Sequence, residues 1–300
     1  MRKNACLLIT GANGFTGRHA CKYFSQQGMQ VIPMFQSHSR LIDYPNSVVC
    51  DLINKTAVMS VIKNIQPDYV LHLAGQNSVL ELWKNPLDSL EINIMGTSYL
   101  LEAIRQEVPN CKTLIQGSAL QHDLTKSTIP PHPYSLSKTM QAMIADAWGE
   151  LMGSNIVVAK PSNLIGPGES IGISSLIGKK LVDIEIGKCE PIIEVNSLQD
   201  TRDFLDVRDA VAAYHVLLCE GEKGKKYDIG SGIKRSLLDV LKVYKEITKL
   251  DFRIRETNNV KSKDQFDLAL HDIRKLGWTP KIQFIDSLQD VWGYMRKRKP

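Results

Sequence analysis

The sequence predicts an α/β protein built on a doubly wound parallel sheet, with a smaller α/β lobe towards the C-terminus. Three observations carry that expectation. Short apolar runs alternate with stretches of helical period through the first half of the chain, and strands joined by helices in this rhythm form right-handed βαβ units. The first unit carries G-x-x-G-x-x-G between its strand and its helix, which makes the sheet Rossmann-type. The strict alternation fails after about residue 168, although 300 residues leave ample chain for a second, smaller lobe.

The first turn organises the rest. Cys6-Leu7-Leu8-Ile9-Thr10 reads as a buried strand and leads into Gly11-Ala12-Asn13-Gly14-Phe15-Thr16-Gly17. Gly11 suits a tight turn, Gly14 lets backbone approach a pyrophosphate, and Gly17 lets the helix sit close on the sheet. A helix N-terminus offers unpaired N–H groups and a positive dipole end to phosphate. Glycines also serve plain turns, but a strand before and a helix after favour a dinucleotide site. Gly11, Asn13, Gly14, Phe15, Thr16 and Gly17 are its candidate contacts.

The helix over 15–27 ends at Gly28 as a cap, and a second strand covers 30–34. NAD-selective sites place an acid near this strand's end to hold the ribose 2′-OH. Here Phe35-Gln36-Ser37-His38-Ser39-Arg40 contains none. Ser37 and Arg40 are therefore candidates for a 2′-phosphate, pointing to NADP(H) with NAD(H) as the alternative. The competing reading of Arg40 is a solvated loop charge. A third strand is expected over 48–52, with Asp51 at its end able to bond an adenine amino group.

A helix over 55–65 and the Pro67-Asp68 turn lead to a fourth strand opening into Ala74-Gly75. A long helix over 89–107 and a fifth strand over 113–117 follow. Ligands bind outside the carboxyl ends of such strands, so Ala74, Gly75, Gly117 and Ser118 should share one crevice with the glycine loop. A helix starting near Tyr134 puts Tyr134 and Lys138 on one face. Strand 156–160 ends at Pro161. Beyond it, the helix over 174–186 and the segment 191–194 read as a separate lobe. The strand over 203–207, the helix over 208–218 and the strand over 227–230 read as a return to the first domain. Helices over 236–248 and 285–296 complete the smaller lobe. The expected division is thus 1–162 with 203–230 as dinucleotide-binding domain, and 163–202 with 231–300 as substrate-binding lobe.

At 43% hydrophobic and 23% charged, the composition is that of a soluble globular chain. A net charge of +5 suits an anionic substrate without predicting nucleic-acid binding. The six cysteines show no C-x-x-C pair, so free thiols are expected, with no metal site. The first strand follows directly on Met1-Arg2-Lys3-Asn4 and no apolar run nears bilayer-spanning length, so a cytoplasmic location and no membrane partner are expected.

Ser118, Tyr134 and Lys138 form the candidate catalytic set. Hydride transfer to a ketone builds charge on oxygen, which requires a proton donor within hydrogen-bond reach. A free tyrosine has a pKa near 10. A neighbouring lysine ammonium is expected to stabilise the phenolate, so that Tyr134 can serve as acid or base near neutrality, while Ser118 holds the carbonyl oxygen.

The chain resembles, over nearly its whole length, the extended short-chain dehydrogenase/reductases that act on nucleotide-activated sugars. The matching pieces are Thr10-Gly11-x-x-Gly14-x-x-Gly17, Asp51-Leu52, His72-Leu73-Ala74, Asn93 with Gly96-Thr97, and Tyr134-x-x-x-Lys138. Further on come Asn163-x-x-Gly166-Pro167-Gly168, Arg202-Asp203-Phe204 with Val207-x-Asp209, and Leu276-Gly277-Trp278-x-Pro280. Within that family, the stretch from Val182 to Arg202 is most similar to the GDP-4-keto-6-deoxy-D-mannose reductases. The resemblance implies cofactor contacts at Leu52, Leu73 and Pro161 as well, with Tyr134 and Lys138 serving both chemistry and cofactor. It also implies contacts to a nucleotide-diphosphate sugar at Ser78, Asn163, Arg202 and Lys261, and a homodimer. Dehydratases of the family follow the active-site serine or threonine with Asp-Glu; Ala119-Leu120 stands here, so dehydration is not expected. A 4-epimerase with tightly held NAD⁺ is the enzymatic alternative, and a non-catalytic dinucleotide sensor the alternative of another class.

Overall fold

The computed structural model describes residues 4–37, 44, 46–77, 79–125, 128–257 and 267–298, with no side-chain description at 79–81. Arg40, Ser78 and Lys261 lie outside the described residues. The first half runs β1 (Cys6–Thr10), α1 (Phe15–Gln26), β2 (Gln30–Phe35), β3 (Val48–Val49), α2 (Lys55–Ile65) and β4 (Tyr69–His72). Short helices α3 (Val79–Lys84) and α4 (Pro86–Leu90) lead through a π-helical turn, Glu91–Gly96, into α5 (Thr97–Glu107). Then come β5 (Lys112–Gln116), α6 (Pro133–Leu151) and β6 (Asn155–Pro161).

The rest comprises β7 (Asn163–Ile165), α7 (Ile173–Glu185), β8 (Ile192–Val195), β9 (Thr201–Asp206), α8 (Val207–Glu220), β10 (Lys226–Ile229) and β11 (Lys234–Ser236). It ends with α9 (Leu237–Thr248), β12 (Arg253–Glu256), α10 (His271–Lys275) and α11 (Phe284–Lys297).

Seven strands form the main sheet in the order β10-β6-β5-β4-β1-β2-β3, all neighbours parallel. Both faces are covered, which is why its strands are apolar runs and not alternating ones. In β1, Leu7 and Ile9 face the core built with α1 and α8, while Leu8 faces the core built with α2 and α5. Strand order reverses between β1 and β4, whose last residues Thr10 and His72 are paired in register. The crevice opens at that switch point.

Two expected elements are interrupted. The third strand stops at Val49 instead of reaching residue 52, because the Asp51 carboxylate accepts the Ile53 N–H at 3.2 Å and the Asp51 carbonyl accepts the Asn54 N–H at 3.0 Å. Those local bonds compete with a sheet ladder. The long helix expected over 89–107 is broken by the π turn. That turn holds Asn93, whose amide group exchanges hydrogen bonds with the Gln76 backbone and donates to Ser137 Oγ at 3.0 Å. A π turn re-aims one side chain in this way, commonly at a functional site.

The second hydrophobic core joins Ile165, Ile177, Leu181, Ile193, Phe204, Leu241, Tyr244 and Leu288. It is flanked by a sheet ordered β11-β9-β7 and by the parallel pair β12-β8. The strand expected over 203–207 pairs with β7 and β11, while α8, which follows it, packs on the main core and β10 joins the main sheet beside β6. The Asp203 carboxylate explains the joint. It accepts from Ser162 Oγ at 2.6 Å, Ser231 N at 2.9 Å, Ser231 Oγ at 3.0 Å and Gly232 N at 2.6 Å, tying the ends of β6 and β10 to β9. Asp209 does the same for the C-terminal segment, accepting from Lys281 N and Ile282 N while its carbonyl accepts Trp278 Nε1–H.

Candidate active site

The carboxyl edge of the main sheet opens into a cavity of about 510 Å³. Its floor is the glycine loop. Gly11 sits at φ +65°, and a Cβ there would lie 2.7 Å from the Ala74 nitrogen. A Cβ on Gly17 would collide with the Gly11 carbonyl oxygen, so only glycine lets α1 approach the turn. Gly14 caps α1 without any side-chain hydrogen bond, leaving the first N–H groups of the helix for an anion. A cavity of this volume with such a cradle fits a dinucleotide.

Among the expected contacts, Gly11, Asn13, Gly14, Phe15, Thr16, Gly17, Asp51, Leu52, Leu73, Ala74, Gly75 and Tyr134 all line the cavity. Gln36 follows the end of β2 in the wall, and its side-chain amide donates to the Asp51 carboxylate at 3.5 Å. Ser37 is exposed beside it and is not in the wall. Pro161 is buried at the end of β6, where its carbonyl accepts the Ala119 N–H at 3.0 Å, and does not reach the wall.

The proposed catalytic corner lies at one end. Helix α6 starts at Pro133, with His132 as its cap: His132 Nδ1 accepts the Ser135 N–H at 3.0 Å. The His132 ring stacks near Tyr134, with centroids 6.2 Å apart. The Tyr134 hydroxyl is within hydrogen-bond reach of the Ser118 side chain, and Ser118 Oγ also accepts the Leu120 N–H at 3.0 Å. Lys138 lies one turn on, its ammonium 3.6 Å from where a Cβ on Gly75 would sit. It donates to the Gln116 carbonyl at 3.1 Å and to Gln141 Oε1 at 2.9 Å.

The electrostatics differ from the expectation of a lowered phenol. Burial pushes the Tyr134 phenol up, and the bond to Ser118 offsets that only in part. Burial also brings the Lys138 ammonium down to about 8. A ring shut away from water favours its neutral form. Tyr134 is therefore held as a loaded acid.

The two described candidate substrate contacts, Asn163 and Arg202, are not in the cavity wall. Asn163 Nδ2 donates to the Asp203 carbonyl at 3.0 Å, bracing β7 against β9. Arg202 stands on β9, 3.6 Å from Asp200, directly across the ladder from Arg235. The wall includes residues that sequence reasoning did not single out: Gln116, Asn77 and Ile92, and Glu169-Ser170-Ile171 from the loop before α7. Only the strand-end position of Gln116 carried any signal. Among the described residues, no group of three or more His, Cys, Asp or Glu is arranged to hold a metal, and no helix is long and apolar enough to cross a membrane.

The model of the NAD dependent epimerase/dehydratase family matches residues 7–230. The chain belongs to this family. Membership makes it an NAD(P)-dependent enzyme of the extended short-chain dehydrogenase/reductase type. It is 28% identical to the GDP-6-deoxy-D-mannose reductase of Pseudomonas aeruginosa, covering 95% of both chains. It is 27% identical to the CDP-paratose 2-epimerase of Salmonella typhi, over 96% of this chain and 98% of that one. The structure of RMD from Pseudomonas aeruginosa complexed with NADPH superposes with a TM-score of 0.83 at 25% identity, covering 99% of each chain. Within the family frame, Asp203 and Asp209 of the matching motifs are joints of the fold, whereas the glycine loop and Tyr134 line the cavity, with Ser118 and Lys138 buried and outside its wall.

Proposed function

We propose that this family member is an NADPH-dependent reductase of the C4 ketone of a nucleotide-linked 4-keto-6-deoxyhexose, with a GDP-linked substrate as in its reductase relative. The observation that carries the reading is the buried Tyr134 phenol beside Ser118 at the wall of the cavity, which burial pushes up towards its neutral form. Reduction needs an acid at that point, and this phenol is kept loaded. Two features support the choice within the family. Ala119 and Leu120 supply no acid–base pair after Ser118, and the residues that follow β2, Gln36 and Ser37, include no acid of the kind that holds a ribose 2′-OH in NAD-selective sites.

The glycine loop and the uncapped start of α1 hold the pyrophosphate, and Lys138 holds the nicotinamide ribose. The bound dinucleotide supplies a hydride to C4. Ser118 donates a hydrogen bond to the ketone oxygen, and Tyr134 passes its proton to that oxygen as charge develops there. Solvent then reprotonates the phenolate. Arg202 is the proposed diphosphate contact: its ion pair to Asp200 is long, and Arg235 opposes it in register. Two like charges across a ladder destabilise it unless an anion joins them. Asn163, Ser78 and Lys261 complete the proposed substrate set, in a lobe of 163–202 and 231–300. A cytoplasmic homodimer is part of the same proposal.

The test follows the hydride. Purified protein given 4-deuterated NADPH and GDP-4-keto-6-deoxy-D-mannose should consume the cofactor stoichiometrically and place deuterium at C4 of the sugar. Protein that carries tightly bound NAD⁺ and equilibrates 4-hydroxy epimers without added cofactor would move the assignment to an epimerase.

A further inference from the structure

Lys138 is an ammonium buried at 3% exposure, and among the described residues no carboxylate pairs with it. Its protein acceptors are the Gln116 carbonyl and Gln141 Oε1, both uncharged. Gln141 therefore supplies half of what holds the charge in place. A buried cation with a lost acceptor does not stay put.

Which end of the Gln141 amide faces Lys138 is fixed by a buried chain of hydrogen bonds. The Thr97 hydroxyl has one proton, and it goes to the Asn93 carbonyl at 2.8 Å. Thr97 Oγ1 must then accept from its other neighbours: Gln141 Nε2 at 2.8 Å and His72 Nε2 at 2.9 Å. The amide nitrogen of Gln141 thus points to Thr97 and its oxygen to Lys138. The same count makes His72 protonated on Nε2, so its Nδ1 accepts from the Thr10 hydroxyl at 2.8 Å. Thr10 Oγ1 in turn accepts the Ala74 N–H at 3.2 Å. Every member from Thr10 to Gln141 is essentially shut off from solvent. The chain starts where β1 enters the glycine loop and ends at the lysine.

We propose that Gln141 is a positioning residue for Lys138, holding its ammonium behind Gly75 of the cavity wall, with Thr97, His72 and Thr10 fixing the orientation of the Gln141 amide. The inference rests on the reading of Lys138 as the ribose contact. Lys138 has three N–H donors and spends two on Gln116 and Gln141, which leaves one for a ribose hydroxyl. Among the described residues, Tyr134 precedes it by one turn of the same helix, and His72 feels its charge from β4 and is neutral because burial and that charge bring it down to about 3. From β5 and α5, Gln116 and Thr97 contribute only dipoles. An uncharged setting makes the lysine sensitive to any charge placed at 141.

The experiment titrates NADPH into the full-length protein between pH 6.5 and 10 for the wild type, Gln141→Leu and Gln141→Glu. Gln141→Leu should weaken NADPH binding about tenfold, the scale of one hydrogen bond to a charged group, and bring the alkaline loss of binding to lower pH. Gln141→Glu should restore binding and shift that loss upward by about one pH unit or more, because a carboxylate beside an ammonium favours its charged form. A merely structural role would lower the melting temperature and leave the pH of the break where it was. Wild-type affinity in folded Gln141→Leu, or an unmoved break in Gln141→Glu, overturns the proposal; if the Leu variant does not fold, the Glu variant decides alone. Lys138→Met in the same series separates the two readings. If it binds NADPH like the wild type, the ribose role of Lys138 is wrong, whatever Gln141 does.

Discussion

Two joints at the carboxyl edge of the main sheet are built on opposite principles. At β1 and β4, the glycine loop strips away side chains and leaves the N–H groups at the start of α1 without a side-chain cap. At β6, β9 and β10, one buried carboxylate, Asp203, gathers four donors from Ser162, Ser231 and Gly232. The first joint has unspent hydrogen-bonding capacity, and that is what an anionic ligand needs. The second spends its carboxylate within the protein and so fastens β9 to the ends of β6 and β10. Proximity to the sheet edge does not by itself make a residue functional; unspent capacity does.

The largest expected effect lies on the open side of this contrast. Tyr134→Phe should lower turnover by about 10²–10⁴-fold, the usual scale of general acid catalysis, while NADPH binding and thermal stability stay close to wild type. Near-native turnover in the phenylalanine variant would remove Tyr134 as the proton donor. On the closed side, Asp203→Ala should cost about 2–4 kcal/mol in a denaturant titration, since it strands buried donors. Should Asp203→Ala leave stability intact and abolish substrate binding instead, the contrast between the two joints fails.

Gly17→Ala should damage both stability and cofactor affinity, because its methyl group meets the Gly11 carbonyl. A loss of about 1–3 kcal/mol is the scale of such overpacking, read by thermal melts with and without NADPH. Arg202→Leu should raise KM for the sugar nucleotide about tenfold and leave the NADPH dissociation constant unchanged; an equal loss of both affinities would place Arg202 in the fold and not in the site.

The smallest effect is in pH. Lys138 is brought down to about 8 by burial, from 10.5 in the open chain. Below pH 8 it is charged in both states and its burial opposes folding. Between about 8 and 10.5 the folded protein binds fewer protons than the unfolded chain, so this group's contribution to stability rises with pH. NADPH affinity should move the other way, falling above pH 8 as the ammonium is lost. Isothermal titration across that range checks the sign.

The sequence by itself determined the doubly wound sheet, the glycine loop and the spacing that puts Tyr134 and Lys138 on one helix face. Each depends on contiguous residues: an apolar run, a turn that needs glycine, a helical repeat. Even so, local patterns overran at residues 50–52 and 91–96, where Asp51 and Asn93 divert the backbone with side-chain hydrogen bonds that periodicity does not register. Only the tertiary structure decided that β9 belongs with β7 and β11, because Asp203 acts on segments separated by about thirty to forty residues on either side. It also decided the state of the proposed catalytic corner. The spacing of Tyr134 and Lys138 suggested a lowered phenol; burial raised it, and the acceptors that hold Lys138 come from β5 and from Gln141. A protonation state follows from what surrounds a group in three dimensions, and that is set by every element packed against it.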